Sequence, residues 1–297
     1  MNFHILSACD ARCDFCFATF PGVRGRLAAP DARRLITLLR AHGAEKLTFA
    51  GGEPTLHPDL EGYLRHAKGE GLVTGVVTNG SRLQPLLARA ADAIDWVALS
   101  VDSASEATQR ALGRGGGDHV ARAVRLSDLC RAAGVRLKVN TVVTSLTWEE
   151  DLTELLRRLA PERWKLFQVL RVEGQNDGRV ERLLISREQF SAFVARHARL
   201  AEAGVTLVPE DNDAITDSYV MIDPLGRLYG DTGGIHRVGP SVLEAGVDAA
   251  LAAVGFQPEK LRARGGLYDW APPRRHLPIL AGRPTRPPRA GGGYPPG

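Results

Sequence analysis

Short runs of β-branched and aromatic residues alternate with amphipathic stretches over the first 175 residues of the chain. The apolar runs predict strands, and the stretches with apolar positions every three to four residues predict helices between them. The predicted strands are 2–6, 46–50, 73–77, 95–100, 136–142 and 164–170. The predicted helices are 29–42, 58–69, 82–91, 118–133 and 147–159.

This alternation is typical of a parallel sheet with helices packed outside it. Turn residues follow most of the predicted strands, as at 51–54 (GGEP) and 78–80 (TNG). In such folds the functional residues are expected at the carboxyl ends of the strands. Six strand–helix units are too few to close an eight-stranded barrel. The pattern therefore predicts an α/β fold, either an open partial (β/α)6 barrel over 1–175 or a doubly wound sheet.

The pattern changes after residue 175. The remaining predicted elements are a helix at 186–203, strands at 205–208, 218–222 and 226–229, and short helices within 243–264. They predict an α+β extension over 176–270 that packs on the barrel. Residues 271–297 hold eight of the 18 prolines and end in RPPRAGGGYPPG, a composition that predicts a disordered tail.

Composition narrows the class of protein. The 297 residues are 44% hydrophobic with four cysteines, which excludes a disordered or disulfide-stapled chain. No apolar run approaches the roughly 18 residues that span a membrane, and the start lacks the features of a secretory leader. The net charge of +4 comes from the tail, which has five arginines and no acid. We therefore expect a cytoplasmic protein with no membrane contact and no nucleic-acid-binding face.

Three of the four cysteines lie within eight residues, directly after the first predicted strand. Cys9, Cys13 and Cys16 form a C-x3-C-x2-C pattern. A structural zinc site needs four closed ligands, and neither a second pair of cysteines nor a histidine follows nearby. Three clustered thiolates suit a [4Fe–4S] cluster with one iron left without a protein ligand. Zinc and simple burial stay as alternatives, and Cys130, in an apolar helical stretch, is predicted to be a core residue.

The cysteine pattern, with Phe15 before its third member, resembles that of the radical S-adenosylmethionine (SAM) superfamily. In that superfamily SAM chelates the open iron, and reduction cleaves it to methionine and a 5′-deoxyadenosyl radical. The GGEP sequence resembles the superfamily motif that holds the methionine amine. The resemblance therefore implies SAM contacts from Phe15, Gly51, Gly52, Glu53, Ser100, Asp102, Arg114 and Asn140.

Further segments resemble the viperin family, in the same order across about residues 1–270. They are Asn2-Phe3-His4, Cys13-x2-Cys16-Phe17, Arg163-Trp164-Lys165-x-Phe167-Gln168, Glu173-Gly174, Asp217-Ser218-Tyr219, Thr232-Gly233-Gly234 and Arg264-Gly265-Gly266-x-Tyr268. The amphipathic N-terminal helix and the Trp-ended C-terminal segment of animal viperins have no counterpart in this sequence.

The resemblance implies a SAM-dependent nucleotide dehydratase, a radical lyase. Viperins convert CTP, UTP or GTP to the 3′-deoxy-3′,4′-didehydro form, a chain terminator in antiviral defence. The implied mechanism is removal of the ribose 4′ hydrogen by the 5′-deoxyadenosyl radical, loss of the 3′ hydroxyl as water, and addition of one electron and a proton. It also implies an electron donor of flavodoxin or ferredoxin type, and we expect a monomer.

Cations recur on one face of two predicted strands. Residues i and i+2 of a strand share a face, so Lys138 aligns with Asn140, and Arg163 aligns with Lys165. Burying such cations without partners costs several kcal/mol each, so an anionic ligand or carboxylates should neutralise them. The alternative to a triphosphate is ion pairing within the protein, to Glu53, Asp102 or Glu173.

The viperin resemblance assigns roles at this second site. It implies that the nucleoside triphosphate is bound by Asn2, Lys46, Lys138, Arg163 and Lys165. It also implies that Tyr219 supplies the hydrogen equivalent that quenches the product radical; the alternative is a tyrosine that caps the barrel.

Two other functions stay open. The protein could be another radical SAM enzyme that matures a peptide or builds a cofactor, although auxiliary clusters need further cysteines and none lies beyond Cys130. It could also be a non-catalytic iron–sulfur protein. Cleavage of SAM on reduction would exclude that second alternative.

Overall fold

The computed structural model describes residues 1–270, which form one ten-stranded sheet with α-helices around it. The strands are β1 (Asn2–His4), β2 (Lys46–Ala50), β3 (Val73–Thr78), β4 (Trp96–Ser100), β5 (Arg136–Val143), β6 (Arg163–Gln168), β7 (Thr206–Glu210), β8 (Met221–Ile222), β9 (Arg227–Asp231) and β10 (His236–Ser241). The helices are α1 (Ala29–Ala41), α2 (Leu60–Gly69), α3 (Leu83–Ala90), α4 (Glu106–Ala111), α5 (His119–Ala132), α6 (Thr153–Leu159), α7 (Arg187–Arg196), α8 (Asn212–Ile215), α9 (Val242–Ala245), α10 (Val247–Ala252) and α11 (Pro258–Ala263).

Strands β1 to β6 lie side by side in sequence order, each parallel to the next. This sequential order is that of a partial (β/α)6 barrel, and it confirms the predicted fold class. The later strands extend the same sheet on both sides. β7 adds to β6, and β8 pairs with β1 in parallel through Asn2 and Met221. β9 pairs with β8, and β10 pairs with β9, both in the antiparallel direction. The two edge strands, β7 and β10, do not pair with each other, so the sheet is open.

The sheet therefore runs through both predicted parts of the chain, while the division at residue 175 stays a prediction. Three elements were not predicted: α4, the four-residue helix α8 and β10. Helix α4 has six residues, too few for a visible period, and begins where the Ser105 hydroxyl accepts a hydrogen bond from the Thr108 amide. Strand β10 contains Gly239 and Pro240, which favour a turn but are tolerated because β10 is an edge strand.

Several predicted boundaries were wrong. Helix α7 ends at Arg196 rather than at residue 203, and β8 begins at Met221 rather than at residue 218. Two other boundaries bear on the cavity. The first strand ends at His4 rather than at residue 6, where the chain turns towards the cysteines. Helix α6 begins at Thr153 rather than at residue 147, because Thr144 and Thr147 form a hydrogen-bonded turn before it. Both changes lie at the carboxyl ends of strands, where the loops that shape the cavity begin.

The core lies between the helices and the outer face of the sheet. On β5, the buried residues Leu137 and Val139 alternate with Lys138 and Asn140, which face the inside of the barrel. Cys130 is fully buried, which confirms it as a core residue. Within residues 1–270 no helix is long and apolar enough to cross a bilayer. The predicted disordered tail, 271–297, lies outside the described residues.

Candidate active site

A cavity of about 610 Å³ lies on the inner face of the sheet. It is lined by all three clustered cysteines and by all but two of the other residues predicted for the site, Asp102 and Arg163. Those that line it are Asn2, Phe15, Lys46, Gly51, Gly52, Glu53, Ser100, Arg114, Lys138, Asn140, Lys165 and Tyr219. Arg163 does not line it: its Nη2 lies 3.4 Å from the Gly265 carbonyl oxygen, and its guanidinium packs 3.8 Å from the centre of the Tyr268 ring.

The cysteines lie on the loop between β1 and α1, residues 5–28, which we call the cluster loop. All three are free thiols. The Cys16 amide donates to the Cys13 carbonyl oxygen at 3.1 Å, and the Cys13 thiol donates to the Gly113 carbonyl oxygen at 3.7 Å. Burial raises the pKa of Cys9 to about 11 and that of Cys13 to about 12. A metal that binds here must therefore displace thiol protons.

Three free thiols at one end of a cavity fit a [4Fe–4S] cluster. Across residues 1–270, no three or more His, Cys, Asp or Glu side chains lie close enough together to share a single metal ion. Thiols that each bond a different iron of a cubane do not need to converge on one point. The donor set and its place on the cavity wall therefore suit the cluster that the cysteine spacing predicts.

The two glycines of GGEP bring the turn after β2 against the cluster loop. The Gly52 amide donates to the Leu6 carbonyl oxygen and the Glu53 amide to the Ala8 carbonyl oxygen, both at 2.8 Å. A Cβ atom at Gly52 would lie 2.1 Å from the Ala8 carbonyl oxygen. Gly113 meets the cluster loop in the same way, because a Cβ there would lie 2.1 Å from the Arg12 carbonyl oxygen. The loop that carries the cysteines therefore rests on two glycines.

Substituting Gly52→Ala should displace the cluster loop, because backbone atoms cannot move aside as a flexible side chain can. We expect a loss of roughly 1–3 kcal/mol in the free energy of unfolding, together with less iron bound after anaerobic reconstitution. Gly69→Ala is the matched control, since no atom lies within 4 Å of its added methyl group. Thermal unfolding and iron analysis measure both effects. Normal iron content and stability in Gly52→Ala would contradict the close packing described here.

The Glu53 carboxylate is fixed by protein hydrogen bonds. It is 1% exposed and accepts from the Thr55 amide and hydroxyl, the Thr78 hydroxyl and the Asn79 amide, at 2.6–3.0 Å. Burial raises its pKa, and these hydrogen bonds partly offset the effect. No lysine or arginine of residues 1–270 lies within ion-pair distance of Glu53. The carboxylate is thus held at the cavity wall without a cation.

On β5, three strands away from β2 in the sheet, the cavity wall holds an acceptor without a donor. Ser100 and Asn140 are paired neighbours on β4 and β5, and the Asn140 side-chain oxygen is buried with no hydrogen-bond partner within residues 1–270. Such an atom costs about 1–3 kcal/mol unless a ligand satisfies it. Arg114 lies close by, with its Nε 2.5 Å from an Asp102 oxygen and its guanidinium over the Phe15 ring. These polar groups fit a cofactor such as SAM, and Asn140, which pairs with Lys165 on β6, lies next to the basic part of the cavity.

The opposite end of the cavity is basic. Lys46 and Arg163 are the first residues of β2 and β6, and Lys138 is the third residue of β5. The cysteines follow the carboxyl end of β1, where functional residues were expected, whereas these predicted phosphate-binding residues do not lie at carboxyl ends. Lys46 and Lys138 face the inside of the barrel because they alternate with the core residues of the same strands.

Lys46 and Lys138 have no carboxylate of residues 1–270 within ion-pair distance. Both donate to the Tyr268 hydroxyl, Lys46 at 2.6 Å, and both ammonium groups lie about 5 Å from the centre of the Trp96 ring, at 5.2 Å and 4.8 Å. Burial lowers the pKa of Lys46 to about 8 and that of Lys138 well below its ordinary value. The predicted alternative, ion pairs to Glu53, Asp102 or Glu173, is therefore wrong for these lysines.

Lys165 has a carboxylate partner that was not predicted. Its Nζ lies 2.6 Å from Glu210 Oε1, and Arg264 Nη1 lies 2.9 Å from the same oxygen. The Tyr219 hydroxyl donates to the other oxygen of Glu210 and accepts from Lys165. The residues at this end without a predicted role are Trp96, Glu210, Arg264 and Tyr268. Arg264 and Tyr268 lie in one of the segments that resemble viperins, whereas Glu210 lies beyond the predicted end of its strand, at residue 208.

Comparisons with known proteins agree with this arrangement. A profile of the radical SAM superfamily matches residues 4–159. The chain is 37% identical to an S-adenosylmethionine-dependent nucleotide dehydratase of Flammeovirga pacifica, over 91% of this chain and 95% of that protein. It is 34% identical to the S-adenosylmethionine-dependent nucleotide dehydratase RSAD2 of Danio rerio, over 91% of this chain and 78% of that protein.

A solved structure shares the fold. SuiB of Streptococcus suis bound to S-adenosylmethionine superposes with a TM-score of 0.62 at 18% identity, over 76% of this chain and 58% of SuiB. Proteins of the radical SAM superfamily use a [4Fe–4S] cluster together with SAM, which matches the three cysteines and the cavity. The chain belongs to the radical SAM superfamily and, within it, to the viperin family of S-adenosylmethionine-dependent nucleotide dehydratases.

Proposed function

We propose that this protein dehydrates a nucleoside triphosphate, CTP, UTP or GTP, to its 3′-deoxy-3′,4′-didehydro analogue, a chain terminator in antiviral defence. The observation that carries the proposal is the pair Lys46 and Lys138. These two half-buried lysines face a cavity without a carboxylate partner among residues 1–270, and the other end of that cavity holds the three cysteines. An anion of several charges, bound at the basic end, would place a ribose between the two ends.

At the cysteine end, Cys9, Cys13 and Cys16 would hold the [4Fe–4S] cluster. The unpaired Asn140 oxygen supports a hydrogen bond to SAM, and the fixed carboxylate of Glu53 supports a contact with its amine. The remaining SAM contacts would come from Phe15, Gly51, Gly52, Ser100 and Arg114. When bound, the cluster and SAM supply the radical that removes a hydrogen from the ribose. A one-electron donor of flavodoxin or ferredoxin type would serve the cluster.

At the basic end, the triphosphate would be bound by Asn2, Lys46, Lys138 and Lys165. These contacts would hold the ribose at a fixed distance from the cysteine end of the cavity. Arg163 packs on the Tyr268 ring and does not line the cavity. Its positive charge would add to the attraction of the three lysines for the triphosphate. Tyr219 would supply the hydrogen equivalent that completes the reaction, and its place on the cavity wall next to Lys165 supports that role.

Affinity for the triphosphate should fall as the pH rises through about 8. Lys46 and Lys165 have pKa values of about 8, lowered by burial. A bound phosphate favours the charged forms of these lysines and so raises their pKa values. Above pH 8 the free lysines are largely neutral, and each must take up a proton when the triphosphate binds. Each lysine can then weaken affinity by up to about tenfold per pH unit. Equilibrium binding between pH 7.5 and pH 9.5, where the phosphates stay ionised, measures this slope.

Lys46→Met should reduce that slope, because it removes one of the titrating groups. Arg199→Met, which removes an exposed charge away from the cavity, should leave the slope unchanged. A pH-independent affinity in the unmodified protein would show that these lysines do not contact the phosphates.

The experiment that tests the function is an anaerobic incubation of cluster-loaded protein with SAM, a reductant and each nucleoside triphosphate. We expect 5′-deoxyadenosine together with a nucleotide that is lighter by one water, detected by mass spectrometry. Cleavage of SAM without dehydration of any nucleotide would instead favour a radical SAM enzyme that acts on a peptide or a cofactor precursor. Absence of SAM cleavage would favour a non-catalytic iron–sulfur protein.

A further inference from the structure

Glu210, the last residue of β7, is a buried carboxylate that the proposed function leaves without a role. Its side chain has no exposed surface, and it does not line the cavity itself. It lies behind Lys165 and Tyr219, which do. Lys165 and Arg264 form ion pairs with it at 2.6 Å and 2.9 Å, and the Tyr219 hydroxyl donates to it. The Lys165 ammonium and the Tyr219 hydroxyl, which both face the cavity, are therefore held by the Glu210 carboxylate.

The Glu210 contacts also span the opening of the sheet. β7 is one edge of the sheet, whereas Tyr219 lies just before β8, on the far side of β1 in the strand order. β7 and β8 do not pair with each other. Arg264 adds a second connection, because it contacts Glu210 on one side and donates to the Ser218 carbonyl oxygen at 3.0 Å on the other. The carboxylate thus fixes the position of Tyr219 relative to β6, which carries Lys165.

Charge reinforces this geometry. Burial raises the pKa of Glu210, but Lys165 and Arg264 beside it lower that pKa below its ordinary value, so the group is ionised. Its charge opposes the effect of burial on Lys165. Burial and the Glu210 charge together raise the pKa of Tyr219 well above 10. The other charged groups that act on this set from neighbouring elements are Lys46, Lys138 and Arg163.

We propose that Glu210 is a positioning residue, which holds the Tyr219 hydroxyl and the Lys165 ammonium at fixed places on the cavity wall. The inference rests on the proposed function, in which Tyr219 completes the reaction and Lys165 binds phosphate. Without Glu210, the phenol would lose both its hydrogen-bond acceptor and its fixed distance from the nucleotide. The ribose radical would then be formed but would be quenched less often as product.

The test is Glu210→Gln, which keeps the shape of the side chain and removes its charge. We expect the pKa of Tyr219 to fall by about one unit or more, followed by NMR of protein labelled with 13C at tyrosine Cζ. We also expect the ratio of 5′-deoxyadenosine to dehydrated nucleotide to rise by roughly tenfold, as misplacement of a reacting group predicts. Glu210→Asp keeps the charge but shortens the side chain by one methylene group. It should also raise the ratio of 5′-deoxyadenosine to dehydrated nucleotide. It replaces Glu210→Gln as the test if the Gln variant does not fold.

Asp95→Asn is the matched control. Asp95 is another buried carboxylate, with the Lys68 ammonium at 2.5 Å, but it lies away from the cavity. Its loss should lower stability without changing the titration of Tyr219 or the product ratio. A folded, cluster-loaded Glu210→Gln protein with both quantities unchanged would overturn the proposal. The titration needs no nucleotide, so it separates this result from a failure of the proposed function, in which the unmodified protein would dehydrate no nucleotide.

Discussion

Replacing any one of Cys9, Cys13 or Cys16 with alanine should abolish cleavage of SAM. Each thiol is free and lies on the cavity wall, and a cluster with one open iron leaves no spare protein ligand to take over. Anaerobically reconstituted protein should hold about four irons per chain, and each variant should hold far fewer. Iron analysis and the formation of 5′-deoxyadenosine measure the two effects.

Cys130→Ala is the control that the chain itself offers. Cys130 is fully buried on α5 among apolar residues, so its loss should cost only on the order of 1 kcal/mol in the free energy of unfolding, for a small cavity. Iron content and SAM cleavage should stay at the parental level. Loss of the cluster in Cys130→Ala, or its retention in one of the other three variants, would overturn the assignment of the ligands.

Removing the β and γ phosphates from the nucleotide should lower turnover more than any single substitution at the basic end. Several cations converge there, and each charge-assisted hydrogen bond contributes roughly 1.5–3 kcal/mol. Loss of one such bond should weaken binding about tenfold to a hundredfold. Phosphate contacts also place the ribose, so a nucleoside monophosphate should react slowly even at saturation. The measurement compares 5′-deoxyadenosine formed with the triphosphate, the monophosphate and the nucleoside.

Lys138→Met is the clearest variant for this test. Lys165 shares Glu210 with Arg264, so its removal would also disturb that network, whereas Lys138 has no carboxylate partner within residues 1–270. Arg199→Met again controls for the loss of one positive charge. Equal turnover of a monophosphate, or an unaffected Lys138→Met variant, would mean that the basic end does not bind phosphate and that the substrate lies outside the proposed class.

The cysteine end of the site could be predicted from sequence because its chemistry is local. Three thiols that bind one cluster have to come from one short loop, and the GGEP turn that supports the loop is a contiguous motif. The inward direction of Lys138 and Lys165 was also predictable, since side chains alternate along a strand. Arg163 followed the same alternation, yet its guanidinium packs on the Tyr268 ring instead of lining the cavity.

Glu210 could not be found in this way. Two of its partners are distant in sequence, Lys165 45 residues before it and Arg264 54 residues after it, and the nine residues to Tyr219 fit neither a helix nor a strand period. The contacts of Tyr268 were not predicted either, because its hydroxyl accepts from two lysines on different strands. Strand β10 was missed for a different reason: the glycine and the proline that predict a turn are compatible with an edge strand. Contacts between distant segments decide these features, and they appear only in the folded chain.

The parallel pairing of β1 with β8 has a consequence for synthesis of the protein. Asn2 pairs with Met221, so β1 waits after its synthesis for a partner encoded about 220 residues later. At typical rates of elongation that delay is roughly ten to forty seconds. During this time β1 can pair only with β2, and its other edge stays open to solvent and to other nascent chains. We therefore expect a protein truncated before β8 to aggregate, even though its cysteine motif and all six predicted barrel strands would be present.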